Sequence, residues 1–504
     1  MGGHYRRISR RQFLEKAGVG LGAGAAASIL AGCGPAATPT EAPPGETAAA
    51  ATPTTAAPGA TATACLENPG YPGLCQGSGG AMVLSLYAET APLDPPIGQG
   101  EITMMSMIPI MEGLWMRDLT APNLKVAPPV VGVLAEEWEW SDDVLQLDVR
   151  LRDGVKFHDG TPWNAEAAQF NYYRIINEDF EYYYPQGAAM LGWMYRLIDD
   201  VEVVDDMNIR ILFQSPFADF LEVTCEPCGI GAALMQAPSA VIDWGNDQVG
   251  EHPIGTGPCR FVERERGVKI VYERNDDYWD SNPLKQYHLD RMIFRPDVDS
   301  AVRNAALRSG EVDFLWRPSP YDEINRLVEE GFVLSTGPEP NLQYMSLNTQ
   351  HVAMSDLKVR QALNYLTDRE AIVDDLLLGF GAPWYQMSSP AASCHIPDYE
   401  PYKFDPEEGQ RLLREAGYGP NNPLEFTCEY PTIPSVIDMV TWLQEKWGQY
   451  GIVMNLSGSE WQTYVTIWGA GMEPDVGMNY MGWGMNSNWW LNHPFRNYNT
   501  GHVD

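Results

Sequence analysis

Leu145, Leu147, Val149 and Leu151 alternate with Gln146, Asp148, Arg150 and Arg152. This period of two predicts a strand with one buried face. Before it, Trp138 and Trp140 share a face with Glu136, while Glu137 and Glu139 point the other way, and Ser141-Asp142-Asp143 supplies the turn of a hairpin. Gly154 and Asp159-Gly160-Thr161-Pro162 punctuate a loop, after which Asn164 can cap a helix carrying Ala167, Phe170 and Tyr173 on one side.

The same reading extends along the chain. Residues 82–87 are a strand, 199–213 are strands around an Asp205-Asp206 turn, and 260–274 form a hairpin. Residues 287–294, 300–309 and 311–316 make one β-α-β unit, its helix stopped by Gly310; such units build parallel sheets covered by helices. Tyr344-Met345-Ser346-Leu347-Asn348 is a strand, 357–378 a helix, and Asp405-Pro406-Glu407-Glu408 opens another helix with a capping box. Residues 436–450 are a further helix, followed by a strand over 452–456.

Over residues 134–174 the turn residues, aromatics and alternation closely resemble the signature region of the family 5 extracellular solute-binding proteins. These are the large receptors of ATP-driven importers for peptides, nickel and some oligosaccharides. Other landmarks agree. Leu93-Asp94-Pro95 closes the first strand, and Met111-Glu112-Gly113-Leu114 follows. Residues 252–261 hold a Gly-Thr-Gly-Pro turn, with Cys259 where an aromatic is usual, before Asn275-Asp276-Asp277-Tyr278-Trp279. That turn is no phosphate cradle, having neither a Walker lysine nor a Rossmann glycine spacing. The resemblance covers about residues 80–504. The segment with which the family usually completes its first lobe is missing after Asp504, so the chain looks truncated.

The resemblance implies an α/β, two-lobed periplasmic-binding-protein-like fold of type II, in the large cluster with an extra subdomain. Mixed sheets flanked by helices would hold a ligand cleft between the lobes. The expected division is residues 80–108 plus 230–345 for the core of lobe I, 109–229 for the extra subdomain and 346–504 for an incomplete lobe II. The chain is too long for one core, so more than one lobe is expected on size alone.

The amino terminus changes the picture of compartment. Arg6, Arg7, Arg10 and Arg11 precede a short apolar run rich in Gly and Ala, too short to span a bilayer comfortably. Arg10-Arg11 with Phe13-Leu14 looks like a twin-arginine export signal; an ordinary secretory signal is the other reading. The run ends in Leu30-Ala31-Gly32-Cys33, which resembles a lipoprotein processing box and implies lipid on Cys33, with 1–33 as signal peptide. Residues 34–64 are almost wholly Ala, Pro, Thr and Gly, and 34–79 read as a disordered spacer with a short Cys loop. An extracytoplasmic, membrane-anchored receptor is expected, with ABC permease subunits as partners.

The net charge of −34 argues against nucleic-acid binding. It also favours cationic or neutral ligands over anionic ones. Of the eight cysteines, Cys33 would be lipidated, leaving Cys65, Cys75, Cys225, Cys228, Cys259, Cys394 and Cys428. Cys65 and Cys75 bracket a short loop suited to a disulfide. Cys225-Glu226-Pro227-Cys228 has redox-pair spacing, but without a second pair it reads better as a local disulfide or inert buried thiols. His351 and His395 stand apart, and no metal or other cofactor is expected.

In peptide-binding members the stretch after the aromatic helix reads Gly-Trp-x-x-Asp, and its carboxylate holds the ligand's amino terminus. Here Gly482-Trp483 is followed by Asn486 in the acid's place, and an amide cannot neutralise an ammonium. The resemblance therefore implies ligand contacts from Trp483, Asn486 and Trp489. Tyr344, Ser346 and Asn348 join them from the strand that crosses between lobes. A (oligo)peptide is the first ligand class; an oligosaccharide is the alternative, on account of Asn486 and the tryptophans, and nickel the third. A receptor needs no catalytic residue. The rival classes are a secreted glycoside hydrolase using two carboxylates and a redox protein using Cys225 and Cys228.

Overall fold

A computed structural model describes residues 79–98, 100–118, 129–195, 197–225, 233–282, 285–318, 320–336, 341–386, 395–461, 463–464, 467 and 471–484. The first strand, β1 (Ala81–Leu86), leads into α1 (Glu101–Met107), and the chain then leaves that sheet to build a separate layer. β2 (Trp115–Arg117) and β3 (Val130–Gly132) pair with each other. β4 (Ala135–Trp140), β5 (Gln146–Leu151), α2 (Ala165–Ile176), α3 (Pro185–Tyr195), β6 (Ile198–Asp205) and β7 (Asn208–Phe213) follow. The sheet runs β4-β5-β7-β6 and is antiparallel throughout. Leu147 and Val149 are buried opposite Ile211 and Ile209, as the alternation requires.

Two local expectations shift. A bulge between Ala135 and Glu137 turns Glu136 outward, so it does not share the tryptophan face. Glu136 and Glu137 both reach Arg150, at 2.6 and 3.1 Å. In α2 the Asn164 carboxamide oxygen accepts from the Ala167 amide at 3.0 Å, as a cap should. The inward stripe, however, is Ala168, Asn171, Tyr172 and Ile175, with Phe170 and Tyr173 at its margin.

The chain continues through α4 (Phe220–Thr224), α5 (Pro238–Trp244), β8 (Cys259–Glu265), β9 (Lys269–Arg274), β10 (Arg291–Pro296), α6 (Ser300–Ser309), β11 (Phe314–Leu315) and α7 (Tyr321–Glu329). The first sheet has the order β11-β1-β10-β9-β8. β1 lies parallel to both β10 and β11, so the β-α-β unit read from sequence straddles the chain's first strand. Gly310 ends α6 with φ +77°, a left-handed cap that suits glycine. By packing, Ala237, Ala240 and Val241 of α5 and Val249 join the core of the antiparallel layer, although 230–249 were expected in lobe I.

The second lobe contains β12 (Asn341–Leu347), α8 (Leu357–Tyr365), α9 (Arg369–Asp375), α10 (Pro406–Glu415), β13 (Leu424–Pro431), α11 (Pro434–Gly448), β14 (Ile452–Ser459) and β15 (Val476–Gly484). Its sheet runs β12-β15-β13-β14, with β13 parallel to β14 and β15. β12 pairs antiparallel with β15 from Asn341 to Leu347. The expected division at residue 345 falls within β12. The helix read over 357–378 is two helices. Asp368 accepts from the Ala371 amide at 2.9 Å and starts the second one, a capping bond that competes with helix continuation.

The sequence landmarks of the first lobe meet in space. Glu112 is buried and accepts from Tyr278 Oη (2.6 Å), Trp279 Nε1 (2.8 Å) and Thr256 Oγ1 (2.8 Å). A Cβ on Gly255 would lie 1.9 Å from the Ile110 carbonyl oxygen, so only glycine lets the two backbones approach. His158 Nε2 donates to the Gly257 carbonyl at 2.9 Å, and its own carbonyl accepts from Arg260 at 2.7 Å. Burial pushes the His158 imidazole down to about 4, leaving it a neutral donor to the Gly-Thr-Gly-Pro turn.

Candidate functional site

The second sheet has two unlike faces. On one, Met345 and Leu347 of β12 and Met478 and Tyr480 of β15 meet Phe426 and Cys428 of β13 and Met454 of β14; α8, α10 and α11 close this side as an apolar core. Strand alternation places Tyr344 and Ser346, then positions 479, 481 and 483, on the opposite face. Three of the expected ligand positions, Tyr344, Ser346 and Trp483, thus share one side of the sheet.

The row through Ser346 is polar and buried. Ser346 pairs with Asn479, and Asn479 pairs with Glu429 on the next strand. Their exposures are 5%, 4% and 7%. A bulge creates this alignment. The β13–β15 register shifts between Thr427 and Cys428, so that one residue of β13 is matched by Val476 and the next by Met478. Gly477 is the extra residue, and a Cβ there would come within 2.7 Å of Phe426 Cβ. Without the bulge, Asn479 would face the apolar core.

Asn348 is part of the scaffold. Its side-chain amide donates to the carbonyls of Glu473 (2.9 Å) and Val476 (2.8 Å), and its oxygen accepts from the Gln350 amide (3.0 Å). Its backbone amide donates to the Gly477 carbonyl at 3.0 Å. The side-chain amide and the backbone amide thereby tie the end of β12 to the 473–477 segment, while the oxygen closes a local turn with Gln350. Tyr464, beyond β14, donates from its hydroxyl to the Tyr480 carbonyl and is buried over β15.

The two lobes also touch. Tyr321 of α7 stacks on Phe380, which follows α9, with centroids 5.6 Å apart and planes 14° from parallel. Two concavities of the described residues lie away from the face that carries Ser346. A small cavity opens among Pro95, Asn171, Tyr172 and Met235, and a charged groove lies near Arg260, Arg274 and Asp290.

Asn486 and Trp489 lie outside the described residues, as do Arg10, Arg11, Cys33, Cys65, Cys75, Cys228 and Cys394. Trp483 is located by its backbone pairing with Leu342. Burial pushes the Cys259 and Cys428 thiols up to about 12, which keeps them as unreactive thiols at neutral pH. Cys225 is also buried, its thiol donating to the Glu222 carbonyl at 3.3 Å. Burial lowers the His351 pKa. Its Nδ1 accepts from the Ala353 amide at 3.3 Å. Among the described residues no group of three His, Cys, Asp or Glu side chains is placed to hold a metal. Asn479 and Glu429 were missed in the sequence: neither β13 nor β15 was read as a strand there, and the bulge that aligns the two residues is a property of the pairing between those strands.

The model of the bacterial extracellular solute-binding proteins, family 5 Middle, matches residues 129–501. The glutathione-binding protein GsiB of Pectobacterium atrosepticum is 31% identical over 360 residues, which are 70% of this chain and 66% of that protein. The chain thus spans just under two thirds of that relative. The GsiB of Salmonella typhi is 30% identical over 407 residues, covering 80% of this chain and 74% of the other. Among solved structures, the periplasmic binding protein DppA of Helicobacter pylori in complex with peptide STSA superposes with a TM-score of 0.66 at 23% identity. The match covers 81% of this chain and 78% of that one. The fold is that of the two-lobed periplasmic binding proteins.

Proposed function

Because this chain belongs to the bacterial extracellular solute-binding proteins of family 5, transport receptors and not enzymes, we infer that it captures a small solute against the polar face of its second sheet. Family membership places its work outside the cytoplasm. The observation that carries the site is the convergence of Tyr344, Ser346 and position 483 on one face, opposite the apolar core. The solute is a peptide or a related small molecule, delivered to ABC permease subunits after the lobes close over it by hinge motion. The glutathione-binding and peptide-bound relatives support this class. Trp483, Asn486 and Trp489 complete the contacts. Lobe I is built on the five-stranded sheet and the extra subdomain on the four-stranded antiparallel sheet, while lobe II begins with β12. Arg10 and Arg11 direct export, and lipid on Cys33 tethers the receptor through the 34–79 spacer.

Native mass spectrometry of the exported protein, purified without denaturation, tests the ligand class. A carried ladder of amino-acid masses supports the peptide reading, and hexose masses select the oligosaccharide alternative that Asn486 favours. Retention of neither, together with no binding from peptide and oligosaccharide panels, overturns the receptor assignment.

A further inference from the structure

Asn479 is 96% buried in the middle strand of a polar row, yet its side-chain oxygen has no hydrogen-bond partner among the described residues. A buried acceptor left unpaired is unfavourable, so a sheet that aims one inward is built for a donor that the described residues do not supply. The alignment depends on a glycine bulge, and Asn348 places its hydrogen bonds around that bulge. Bulges re-aim side chains next to binding sites.

Resting on the receptor reading above, we propose that Ser346, Asn479 and Glu429 form a subsite for a nitrogen donor of the bound solute, with Asn479 Oδ1 as its acceptor. The chemistry follows from the row. Registered neighbours on one face of a sheet stand about 5 Å apart at their Cβ atoms. An amide oxygen beside a carboxylate presents two acceptors side by side. A group with several N–H donors, such as an ammonium or guanidinium, can answer both at once, whereas each sugar hydroxyl brings one proton. Glu429 would thereby supply the negative charge that Asn486 lacks. Position 483 lies two residues beyond Met481 and four beyond Asn479 on β15, so the subsite is continuous with the proposed ligand face.

The test compares the full chain with Asn479→Leu, which keeps side-chain size and removes the acceptor. Each protein is offered a library of tripeptides with free amino termini, the same library N-acetylated, and maltotriose; native mass spectrometry reads what is retained and calorimetry measures it. Wild type is expected to hold free-amino members at least tenfold more tightly than acetylated ones. Asn479→Leu is expected to lose tenfold or more while melting no lower than wild type, since an unpaired oxygen has gone. Equal retention by wild type and Asn479→Leu overturns the subsite and leaves the receptor reading standing. So does retention of maltotriose alone, or preference for acetylated peptides. Retention of nothing by wild type overturns both. If Asn479→Leu does not fold, Asn479→Asp decides: a stronger free-amino preference supports the subsite, and an unchanged one, as expected for an oxygen that holds only a buried water, overturns it.

Discussion

Arg174 and Asp94 form a bidentate ion pair, at 2.9 and 2.7 Å, between two side chains that are both 0% exposed. The pair joins the Leu-Asp-Pro segment between β1 and α1 to the signature helix, 80 positions away. Asn246 accepts from the Arg174 Nε and from one terminal nitrogen, and donates in turn to the carbonyls of Tyr182 and Tyr183. Two sequence landmarks are thus one buried object. Asp94→Asn leaves a buried guanidinium without its counter-charge and should cost about 3–5 kcal/mol. The double change Asp94→Leu with Arg174→Met should recover most of that loss. Urea unfolding of the three proteins checks it, and a double variant no more stable than Asp94→Asn would refute the pairing argument.

Gly255→Ala should destabilise the first lobe by about 3 kcal/mol, because the atom its Cβ would strike is a backbone carbonyl that cannot step aside. Gly267 is the comparison. Its φ is +73° and no atom lies within 4 Å of a Cβ there, so Gly267→Asn, which tolerates that conformation, should cost under about 1 kcal/mol. Thermal melts of both variants measure the contrast.

Glu112 gives a pH dependence of known sign. Burial raises its pKa above the ordinary value, against the lowering effect of the Tyr278, Trp279 and Thr256 hydrogen bonds. The folded protein therefore holds the proton more tightly than the unfolded chain. The contribution is fully present below the ordinary glutamate pKa and is lost as pH rises through the raised one. The stability difference between wild type and Glu112→Gln should shift in the variant's favour as pH rises from 4 to 7 in urea titrations. A constant difference would show that the carboxyl does not titrate differently in the fold.

His158 should behave in the opposite sense. Burial holds its titration near 4, so the unfolded chain binds the proton more readily. Its contribution to stability is present above the ordinary histidine value near 6.5 and is lost as pH falls toward 4. In proton NMR the His158 ring signals should stay constant between pH 8 and 5; a midpoint above 6 would contradict the buried neutral donor.

Asn348→Ala removes two side-chain hydrogen bonds that hold the 473–477 segment to the end of β12, and a third, local one from the Gln350 amide. A loss of about 1–3 kcal/mol is expected. Hydrogen exchange should quicken at the β15 amides and leave the first sheet unchanged. Uniform protection in both lobes would mean that the bulge is held by other contacts.

Much of the architecture was legible because it is local. The alternation in β5, the Asn164 and Asp405 caps and the Gly310 stop each depend on a few neighbouring residues. The break inside 357–378 was not, because the apolar period carries on across it while the Asp368 side chain ends the first helix by starting the second. Glu136 was misplaced for a similar reason: a single extra residue in β4 reverses which way its neighbours point.

By itself the sequence determined the fold class, the family and the run of positions from which a ligand face could be drawn. These follow from periodicity, turn chemistry and motif wording, each confined to a short stretch of chain. Only the tertiary structure decided that Asn348 is a strut and Asn479 an inward-facing acceptor. The two asparagines have the same side chain, and the difference lies in which backbone groups another strand brings within hydrogen-bond reach. That is set by a bulge between β13 and β15, whose register is a property of pairing across the sheet and of neither strand alone.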